Sequence, residues 1–511
     1  MTFVSQIMAQ AQSRPGALAF HGEDGALSYD SLVRQAGSVA RVLGADPSVA
    51  PVAVMLPKGA AAVTAMLGIL MAGRCYLPID PKLPEARRAD MLSDSGAELV
   101  YVAAPDPGLE GLVPPGLELR PLAADLHGPG LDQPLAPRGP DAALLYTSGS
   151  TNRPKGVRLG YGAVQCFLDW AIGYFGLTPE DRVASHAPFG FDISLLDLWA
   201  TLAAGGSVHA VPEGQMGNGR YLIRFLEDRR ITLWQSVPTP LAAIGAELAA
   251  GSPAPTALRH LCTTGESLPE QVRRDLAALG PAVWLHNIYG CTETNDTFVF
   301  SLPITEAAED GVLPIGPALP YVAYRIVDET MTPVLPGEPG ELLVRSGAAF
   351  EGYTDPELTR AAHVRLEGLD WYRSRDLVME DPDRILHFLG RTDHTIKLRG
   401  VRIDLREIET ALGRFPGATD VLACVIVCPR KGRQLVGVLG NMQAVSPLAL
   451  KTHCAALLPR TAIPDRFVSR PGPLPRNANG KIDRRAVTRT LEDAFNPSFT
   501  PNGQEPANAD A

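Results

Sequence analysis

A repeated alternation of short apolar segments with longer amphipathic ones limits the possible folds of this chain more than any other feature. The pattern runs from Val52 to Tyr289 and includes the apolar segment Val52–Leu56, the helical segment Ala60–Met71 and the apolar segment Tyr76–Ile79. Parallel strands need crossover connections, which are usually helices. The sequence therefore predicts an α/β fold with doubly wound, mainly parallel sheets covered by helices.

The pattern changes twice towards the carboxyl end. Segments 322–344 and 371–389 read as short alternating strands with Pro/Gly turns, which predicts a small β-barrel attached to the α/β part. After Arg391 a helix and paired strands predict a small α+β domain. We expect an N-terminal core over 1–392, a mobile C-terminal domain over 393–495 and, because large apolar residues are almost absent there, a disordered tail over 496–511.

Composition excludes several functional classes. The 511 residues are 45% hydrophobic and 20% charged, as in ordinary globular proteins. A net charge of −10 argues against a nucleic-acid partner. The seven cysteines are scattered without CxxC spacing, so neither a zinc site nor a disulfide framework is predicted. The longest apolar run, 60–73, is too short to span a bilayer, and no signal peptide is evident, so we expect a cytoplasmic protein without membrane insertion.

The stretch LLYTSGSTNRPKG, residues 144–156, has the composition of a phosphate-binding loop. Glycine lets the backbone turn with exposed N–H groups, hydroxyls can donate to phosphate oxygens, and a lysine supplies a cation. The candidate ligands are Thr147, Ser148, Gly149, Ser150, Thr151 and Lys155. A polar turn without a ligand would have the same composition.

The ordered string decides between these readings, because it resembles the phosphate loop of the adenylate-forming superfamily, which includes non-ribosomal peptide adenylation domains, acyl-CoA synthetases and luciferases. It lacks the GxxxxGK[ST] spacing of a Walker loop. The family usually has Gly where this chain has Asn152. Asn tolerates a left-handed backbone better than most residues, so we expect the loop to form.

A second string, NIYGCTET at 287–294, resembles the YGxTE motif of the same superfamily. The resemblance implies that Tyr289 stacks on adenine, Asn287 approaches the adenine amine, Thr292 contacts the α-phosphate and Glu293 coordinates Mg²⁺. A carboxylate beside a triphosphate requires a metal between them, because two anions repel. Gly265 and Gly290 are also assigned to the ATP site on this resemblance.

Two further strings continue the likeness. In YRSRDLV, Asp376 is the candidate for both ribose hydroxyls, with Arg391 as its partner, although an Asp at a strand end is often only a turn former. The string GRTDHTIKLRGVRIDLREIE, residues 390–409, resembles the hinge of the superfamily and places the hinge at Asp393. A charged linker into a helix would explain the charges but not the order of the residues.

The string PRNANGKIDRRAV resembles the NGKxDR motif, whose lysine would be Lys481. A lone lysine near a carboxyl terminus is otherwise a solvated surface cation. The resemblance implies that a substrate carboxylate attacks the α-phosphorus of MgATP, giving an acyl adenylate and pyrophosphate. Lys481, Thr292 and Glu293 would be catalytic, and a thiol would attack the adenylate in a second step.

The substrate pocket is expected to begin at FDISLLDLW, where the family's amino-acid-loading members have an Asp that pairs with the substrate ammonium. Asp192 matches it, and the alternative is that Asp192 only caps the following helix. Asp296 could receive a substrate amine or hydroxyl, or could face solvent. By motif alignment the other lining residues are Ile193, Leu196, Thr239, Cys262, Thr264, Ile288, Asp296 and Thr297.

Three local strings, FGFDISLLDLW, LWQSVPTP and CTTGESLP, look most like stand-alone ligases that load proline, β-amino acids or D-alanine onto carrier proteins. Because the stretch after Lys481 is short, the carrier is expected to act in trans. An acyl- or aryl-CoA synthetase is the rival within enzymes, and Asp192 argues against it. A catalytically inactive homologue acting as a binding subunit is supported only by Asn152.

Overall fold

The computed structural model describes residues 2–104, 114–147, 154–308, 311–392, 395–428, 432–443, 445–476 and 482–495. Two compact units separate along the chain. The larger unit contains the described residues up to 392 together with Arg399–Arg402, and the smaller unit contains residues 395–398 and the described residues from Ile403 onward. The predicted disordered tail lies outside the described residues.

The first sheet of the larger unit has seven strands, and the five from Asp141–Thr147 to Glu118–Pro121 run parallel. An antiparallel partner, Lys155–Gly160, lies beside Asp141–Thr147 and brings Lys155 opposite Thr147. In spatial order the strands are Gly352–Tyr353, Lys155–Gly160, Asp141–Thr147, Tyr76–Pro78, Val52–Met55, Leu99–Val102 and Glu118–Pro121.

The second sheet has eight strands, which are parallel except at the two edges. Its register places Gln235, Cys262, His286 and Ser301 opposite one another on four neighbouring strands, so their side chains share one face. In spatial order the strands are Asn295–Pro303, Trp284–Cys291, His260–Thr264, Leu233–Ser236, Arg182–Ser185, Ser207–Ala210, Leu18–Gly22 and Gly25–Ser28.

The third sheet is antiparallel and corresponds to the region where short alternating strands were expected. Its longest strand, Leu369–Glu380, places Asp376 opposite Arg391. The other strands are Val322–Val327, Pro339–Ser346, His363–Leu366 and Leu386–Arg391.

Helices begin where polar side chains can satisfy the free N–H groups of a first turn. Thr2 accepts from the N–H of Ser5, and Ser28 accepts from the N–H of Ser31. The α-helices of the larger unit are Phe3–Ser13, Tyr29–Ala45, Ala60–Met71, Glu85–Ser95, Tyr161–Phe175, Thr201–Ala204, Gly219–Asp228, Pro238–Ala249, Glu270–Leu276 and Pro356–Ala362.

Helix Ala60–Met71 is apolar on all sides and lies in the centre of the largest hydrophobic core. It packs closely on helix Tyr29–Ala45, because a side chain added at Gly68 would come within 2.6 Å of Val39. The indole nitrogen of buried Trp199 donates to the Tyr76 hydroxyl at 3.0 Å and ties the stretch containing Asp192 to the first sheet.

The smaller unit is an α+β arrangement. Asp404 caps its first helix by accepting from the N–H of Arg406. Strands Asp420–Cys428, Gly432–Gly440 and Arg466–Ser469 form one sheet. The helices are Leu405–Gly413, Pro447–Leu457 and Arg484–Phe495. The short strand Thr395–Leu398 precedes them, and a second one, Val401–Asp404, begins in the larger unit and ends in the smaller one.

The predicted α/β fold is confirmed, and the structure differs from the expectation in detail at two places. The helix expected to follow Asp192 begins as a π-helix, Leu195–Ala200, and in the turn before it the Ser194 hydroxyl donates to the Phe191 carbonyl at 2.6 Å. The stretch 104–140 is rich in Pro and Gly, which predicts a long surface connection, but its described residues include a strand, Glu118–Pro121. Along the described parts of the chain, no helix is long and apolar enough to cross a bilayer.

Two glycine substitutions test the helix packing. In Gly219→Ala the new Cβ would lie 1.9 Å from the Ala243 carbonyl oxygen, so helix Gly219–Asp228 must shift, and we expect a loss of about 1–3 kcal/mol in the free energy of unfolding. In Gly173→Ala the Cβ meets nothing within 4 Å, and a gain of about 0.5–1 kcal/mol is expected from helix propensity.

The melting temperatures of the two variants and of the parent protein, measured by calorimetry, test this prediction. The account of the packing is contradicted if Gly219→Ala melts at or above the temperature of Gly173→Ala.

Candidate active site

Three residues predicted to bind the nucleotide meet at one place. Asp376 is buried, and its Oδ1 accepts from Arg391 Nη1 at 2.5 Å. Its Oδ2 accepts from the Tyr289 hydroxyl. Burial, followed by the neighbouring Asp376 charge, raises the pKa of Tyr289 well above its ordinary value, so the phenol stays a proton donor to the carboxylate. The arrangement agrees with the partnership of Asp376 and Arg391 inferred from the sequence.

The strand turn that carries this tyrosine is tightly packed. A side chain at Gly290 would come within 2.3 Å of the Asn295 carbonyl oxygen, so only glycine fits there. Asn295 itself adopts a left-handed backbone with φ of 56°. The Asn287 amide nitrogen donates to the Pro314 carbonyl at 2.6 Å, which fixes the orientation of the side chain predicted to approach adenine. Gly265, at the end of the neighbouring strand, has φ of 88°.

Glu293 has no exposed surface, yet its carboxylate is well satisfied. Arg402 Nη1 donates to Oε1 at 2.8 Å and to Oε2 at 3.0 Å, and the Tyr353 hydroxyl donates to Oε1 at 2.7 Å. Burial opposes ionisation, but Arg402, Tyr353 and Lys155 outweigh it and lower the pKa of Glu293 to about 2. The carboxylate is therefore charged at neutral pH.

The beginning and end of the predicted phosphate loop are close together in the first sheet. Thr147 lies opposite Lys155, and Lys155 Nζ is 5.7 Å from the ring centroid of Tyr353. The buried Thr147 hydroxyl has no hydrogen-bond partner within the described part of the chain. Thr292 is half-buried one residue before Glu293. The predicted ligands Ser148, Gly149, Ser150 and Thr151 lie outside the described residues, as do Lys481 and the hinge residue Asp393.

The metal role predicted for Glu293 can be tested against these contacts. A carboxylate oxygen suits Mg²⁺, but here Arg402 engages both oxygens, so direct coordination does not fit this arrangement of the side chains. The described residues contain no group of three or more His, Cys, Asp or Glu side chains that could hold a metal. The metal role therefore stays a prediction, and it requires Arg402 to release the carboxylate.

Asp192 lies on the turn before the π-helix. Its Oδ1 accepts from the N–H of Ile193 at 3.0 Å, and its carbonyl accepts from the N–H of Leu195. The residue that flanks the helical stretch is Ser194, which makes no side-chain cap. Asp192 is half-buried and lies two residues before Ser194, which occupies the N-cap position of this helix.

The other predicted pocket residues lie mainly on the second sheet and the π-helix. Thr264 lies opposite Ile288, Cys262 is fully buried, and Leu196 is buried on the π-helix. Burial, then the charges of Asp296 and Asp197, raise the pKa of the Cys262 thiol well above its ordinary value.

Two of the remaining lining residues differ in their surroundings. The Thr297 hydroxyl donates to the Tyr289 carbonyl at 3.1 Å, so it supports the strand turn. Thr239 is exposed on helix Pro238–Ala249.

Several residues at this site escaped the sequence interpretation. Arg402 and Tyr353 lie more than fifty positions from Glu293 along the chain, and only the fold brings them together. Asp197 was not singled out within the string FDISLLDLW, although an acidic residue between Leu196 and Leu198 is a signal that could have drawn attention to it.

The pair formed by Glu293 and Arg402 predicts how stability depends on pH. The folded pKa of about 2 lies below the ordinary value of 4.5, so this pair stabilises the protein above about pH 4.5 and loses its effect as pH falls towards 2. In Arg402→Gln the main compensating charge is lost. The melting temperature of this variant should lie well below that of the parent at pH 7, and the gap should narrow towards pH 3.

Arg384→Gln is the matched control, because Arg384 is exposed and pairs with Glu380 on the surface. Its melting temperature should differ little from that of the parent at every pH. A gap for Arg402→Gln that does not change with pH would contradict the assigned charge state.

Comparison with known proteins places the chain in a family. The family described as AMP-binding enzyme matches residues 7–354. The L-proline--[L-prolyl-carrier protein] ligase of Pseudomonas fluorescens is 34% identical over 498 residues, which are 94% of this chain and 97% of that protein. The AMB antimetabolite synthetase AmbB of Pseudomonas aeruginosa is 34% identical over 504 residues, 97% of this chain but only 39% of AmbB.

A solved structure, holo-PA1221, described as an NRPS protein containing adenylation and PCP domains, is similar with a TM-score of 0.81 and 26% identity. The likeness covers 96% of this chain and 84% of that one. The match of the family over most of the chain, the full-length likeness to the proline ligase and the motifs brought together by the fold agree: this chain belongs to the AMP-binding enzyme family.

Proposed function

We propose that the protein is an ATP-dependent, AMP-forming ligase that activates a small amino acid and transfers it to the phosphopantetheine thiol of a carrier protein. The likeness to the prolyl-carrier-protein ligase, which extends over nearly the whole of both chains, supports this choice. We expect the carrier to be a separate protein and the pathway to be a natural-product one.

The observation that carries the proposal is the meeting of Tyr289, Asp376 and Arg391 at one place in the larger unit. A buried Asp held by an arginine can accept the two ribose hydroxyls, and the nearby tyrosine ring can stack on adenine. Arg391 donates to Asp376, as the resemblance implies, and Tyr289 was inferred from a separate motif.

The chemistry needs positioning and charge stabilisation more than proton transfer. The substrate carboxylate is already a nucleophile, so no general base is required. Thr147, Lys155 and Thr292 would bind the phosphates of ATP, supplied as its magnesium complex, and Lys481 would stabilise the charge that develops at the α-phosphorus. We also propose that the smaller domain begins at residue 393 and carries Lys481.

Asp192 is the reason to propose an amino acid rather than an amine-free acid. A half-buried carboxylate at the predicted pocket is stabilised by a cation, and a substrate ammonium supplies one. A D-alanine:carrier protein ligase shares this requirement. An acyl- or aryl-CoA synthetase does not.

Amino-acid-dependent exchange of pyrophosphate into ATP tests the proposal. We expect exchange with at least one amino acid from a panel that also contains benzoates and short fatty acids. Asp192→Ala should lower kcat/KM by about 100-fold or more, because the substrate ammonium loses its charged partner. Asp228→Ala, at an exposed carboxylate on the last turn of helix Gly219–Asp228, is the matched control and should exchange normally.

The outcomes separate the candidates. Exchange only with amine-free acids would assign the chain to the CoA-ligase class. ATP binding without exchange on any panel member would indicate an inactive homologue. Once a substrate is known, formation of its thioester on a holo-carrier protein, but not on coenzyme A, supports the carrier as acceptor.

A further inference from the structure

Three buried polar side chains in the region of Cys262, one of the predicted pocket residues, have unsatisfied hydrogen-bonding atoms. Both carboxylate oxygens of Asp197, the hydroxyl of Ser185 and the side-chain oxygen of Gln235 have no hydrogen-bond partner among the described residues. Asp197 and Ser185 are 0% exposed, and Gln235 is 1% exposed. Native proteins leave few buried polar atoms unpaired, so each such atom calls for an explanation.

The fold brings these side chains to the pocket. Gln235 lies opposite Cys262 on the neighbouring parallel strand, so the two side chains share one face of the second sheet. Ser185 ends the strand on the other side of Leu233–Ser236. Asp197 follows Leu196 on the π-helix, and its charge acts on the Cys262 thiol. Ser185, Asp197 and Gln235 are called the polar floor below.

The polar floor is rich in acceptors. The carboxyl oxygens of Asp197 and the amide oxygen of Gln235 can accept hydrogen bonds. Burial raises the pKa of Asp197 to about 8, and the charge of Lys58, followed by the Ser185 hydroxyl, opposes this rise. Lys58 is the neighbouring cation, but its ammonium donates to the Ser185 carbonyl at 2.8 Å rather than to the carboxylate. A complementary occupant therefore brings N–H or O–H donors.

The position within the π-helix supports a functional role. A π-helix is a rare departure from the α-helix and occurs often at functional sites. Here it contains both Leu196, which was predicted to line the pocket, and the unpaired Asp197. An apolar residue at Asp197 would leave the neighbouring buried Lys58 without its counter-charge, but balancing Lys58 does not by itself give the Asp197 oxygens a hydrogen-bond partner among the described residues.

We propose that the polar floor selects amino acids whose side chain carries an amine or a hydroxyl, with the donor hydrogen-bonded to Asp197, Gln235 or Ser185. This inference rests on the proposed function and names the substrate class of that same pocket. Asp192 would receive the ammonium beside the carboxylate that reacts, and the polar floor would receive the second polar group. A site that hydrogen-bonds a substrate donor discriminates strongly against the analogue that lacks it.

The selection for a side-chain donor is measured by pyrophosphate exchange with amino acids whose side chains have similar sizes. Serine and 2,3-diaminopropionate are compared with 2-aminobutyrate, and homoserine and 2,4-diaminobutyrate with norvaline. We expect kcat/KM for the better donor to exceed that for its apolar counterpart by about 100-fold or more. The amine and hydroxyl members of each set then show which donor the pocket takes.

Variants of the polar floor show whether it causes the selection. Gln235→Met removes the acceptor at similar volume, and Asp197→Asn replaces one carboxylate oxygen by a donor. Each variant should lower the ratio of kcat/KM for the donor substrate to kcat/KM for its apolar counterpart by about 10-fold, mainly by reducing kcat/KM for the donor substrate. Thr263→Val is the matched control, because Thr263 also has a buried unpaired hydroxyl but lies on the opposite face of the strand that carries Cys262. Its ratio should equal that of the parent.

The results decide the inference even if a variant fails to fold, because the ratio in the parent protein is sufficient. A parent ratio near one, with exchange present, overturns the polar-floor selection, assigns the unpaired atoms to buried water and leaves the proposed function intact. A high parent ratio that the folded floor variants do not reduce also overturns it. Absence of exchange with every amino acid overturns the proposed function and this inference together.

Discussion

The buried charge of Glu293 is the interaction on which the site depends most. A carboxylate without exposed surface is stable only when its charge is compensated, and Arg402 compensates it through both oxygens. Removing one partner of such a pair typically costs about 3–5 kcal/mol, which is a large part of a domain's net stability. The geometry of this region therefore follows from keeping the two charges together.

A second buried carboxylate of the proposed nucleotide site, Asp376, is compensated in the same way. Asp376 is held by Arg391 and by the Tyr289 hydroxyl, just as Glu293 is held by Arg402 and by the Tyr353 hydroxyl. In both places burial raises the pKa of the tyrosine, so its phenol donates a hydrogen bond and adds no negative charge. Both carboxylates are thereby oriented before any ligand arrives, which lowers the entropic cost of binding.

The polar floor contrasts with these compensated pairs. Its acceptors are as deeply buried, but the described residues supply no hydrogen-bond donor to Asp197 or to the Gln235 oxygen. Gln235 and Ser185 lie near the carboxyl ends of strands in the second sheet, and open α/β sheets bind their ligands at this end of their strands. The paired charges of Glu293 and Asp376 would hold the nucleotide site rigid. The unpaired acceptors of the polar floor would receive hydrogen bonds from the substrate.

The sequence was sufficient where the relevant interactions are local. Helix Ala60–Met71 was bounded correctly from its apolar run, and the pairing of Asp376 with Arg391 was inferred from two neighbouring motifs of the same resemblance.

Interactions between distant segments were not predictable. No pattern joins Arg402 to Glu293, and the polar floor depends on strand register and on a π-helix that begins after Asp192. The roles of Lys481 and Asp393 stay predictions from resemblance.

The central claim, that a carboxylate attacks the α-phosphorus of ATP, is tested most directly by isotope transfer. The protein is incubated with ATP and a carboxyl-¹⁸O-labelled amino acid until nucleotide product accumulates. The masses of the nucleotide and phosphate products are then determined by mass spectrometry. The account predicts AMP that carries one ¹⁸O atom, together with unlabelled pyrophosphate. Formation of ADP with the label in inorganic phosphate would contradict it.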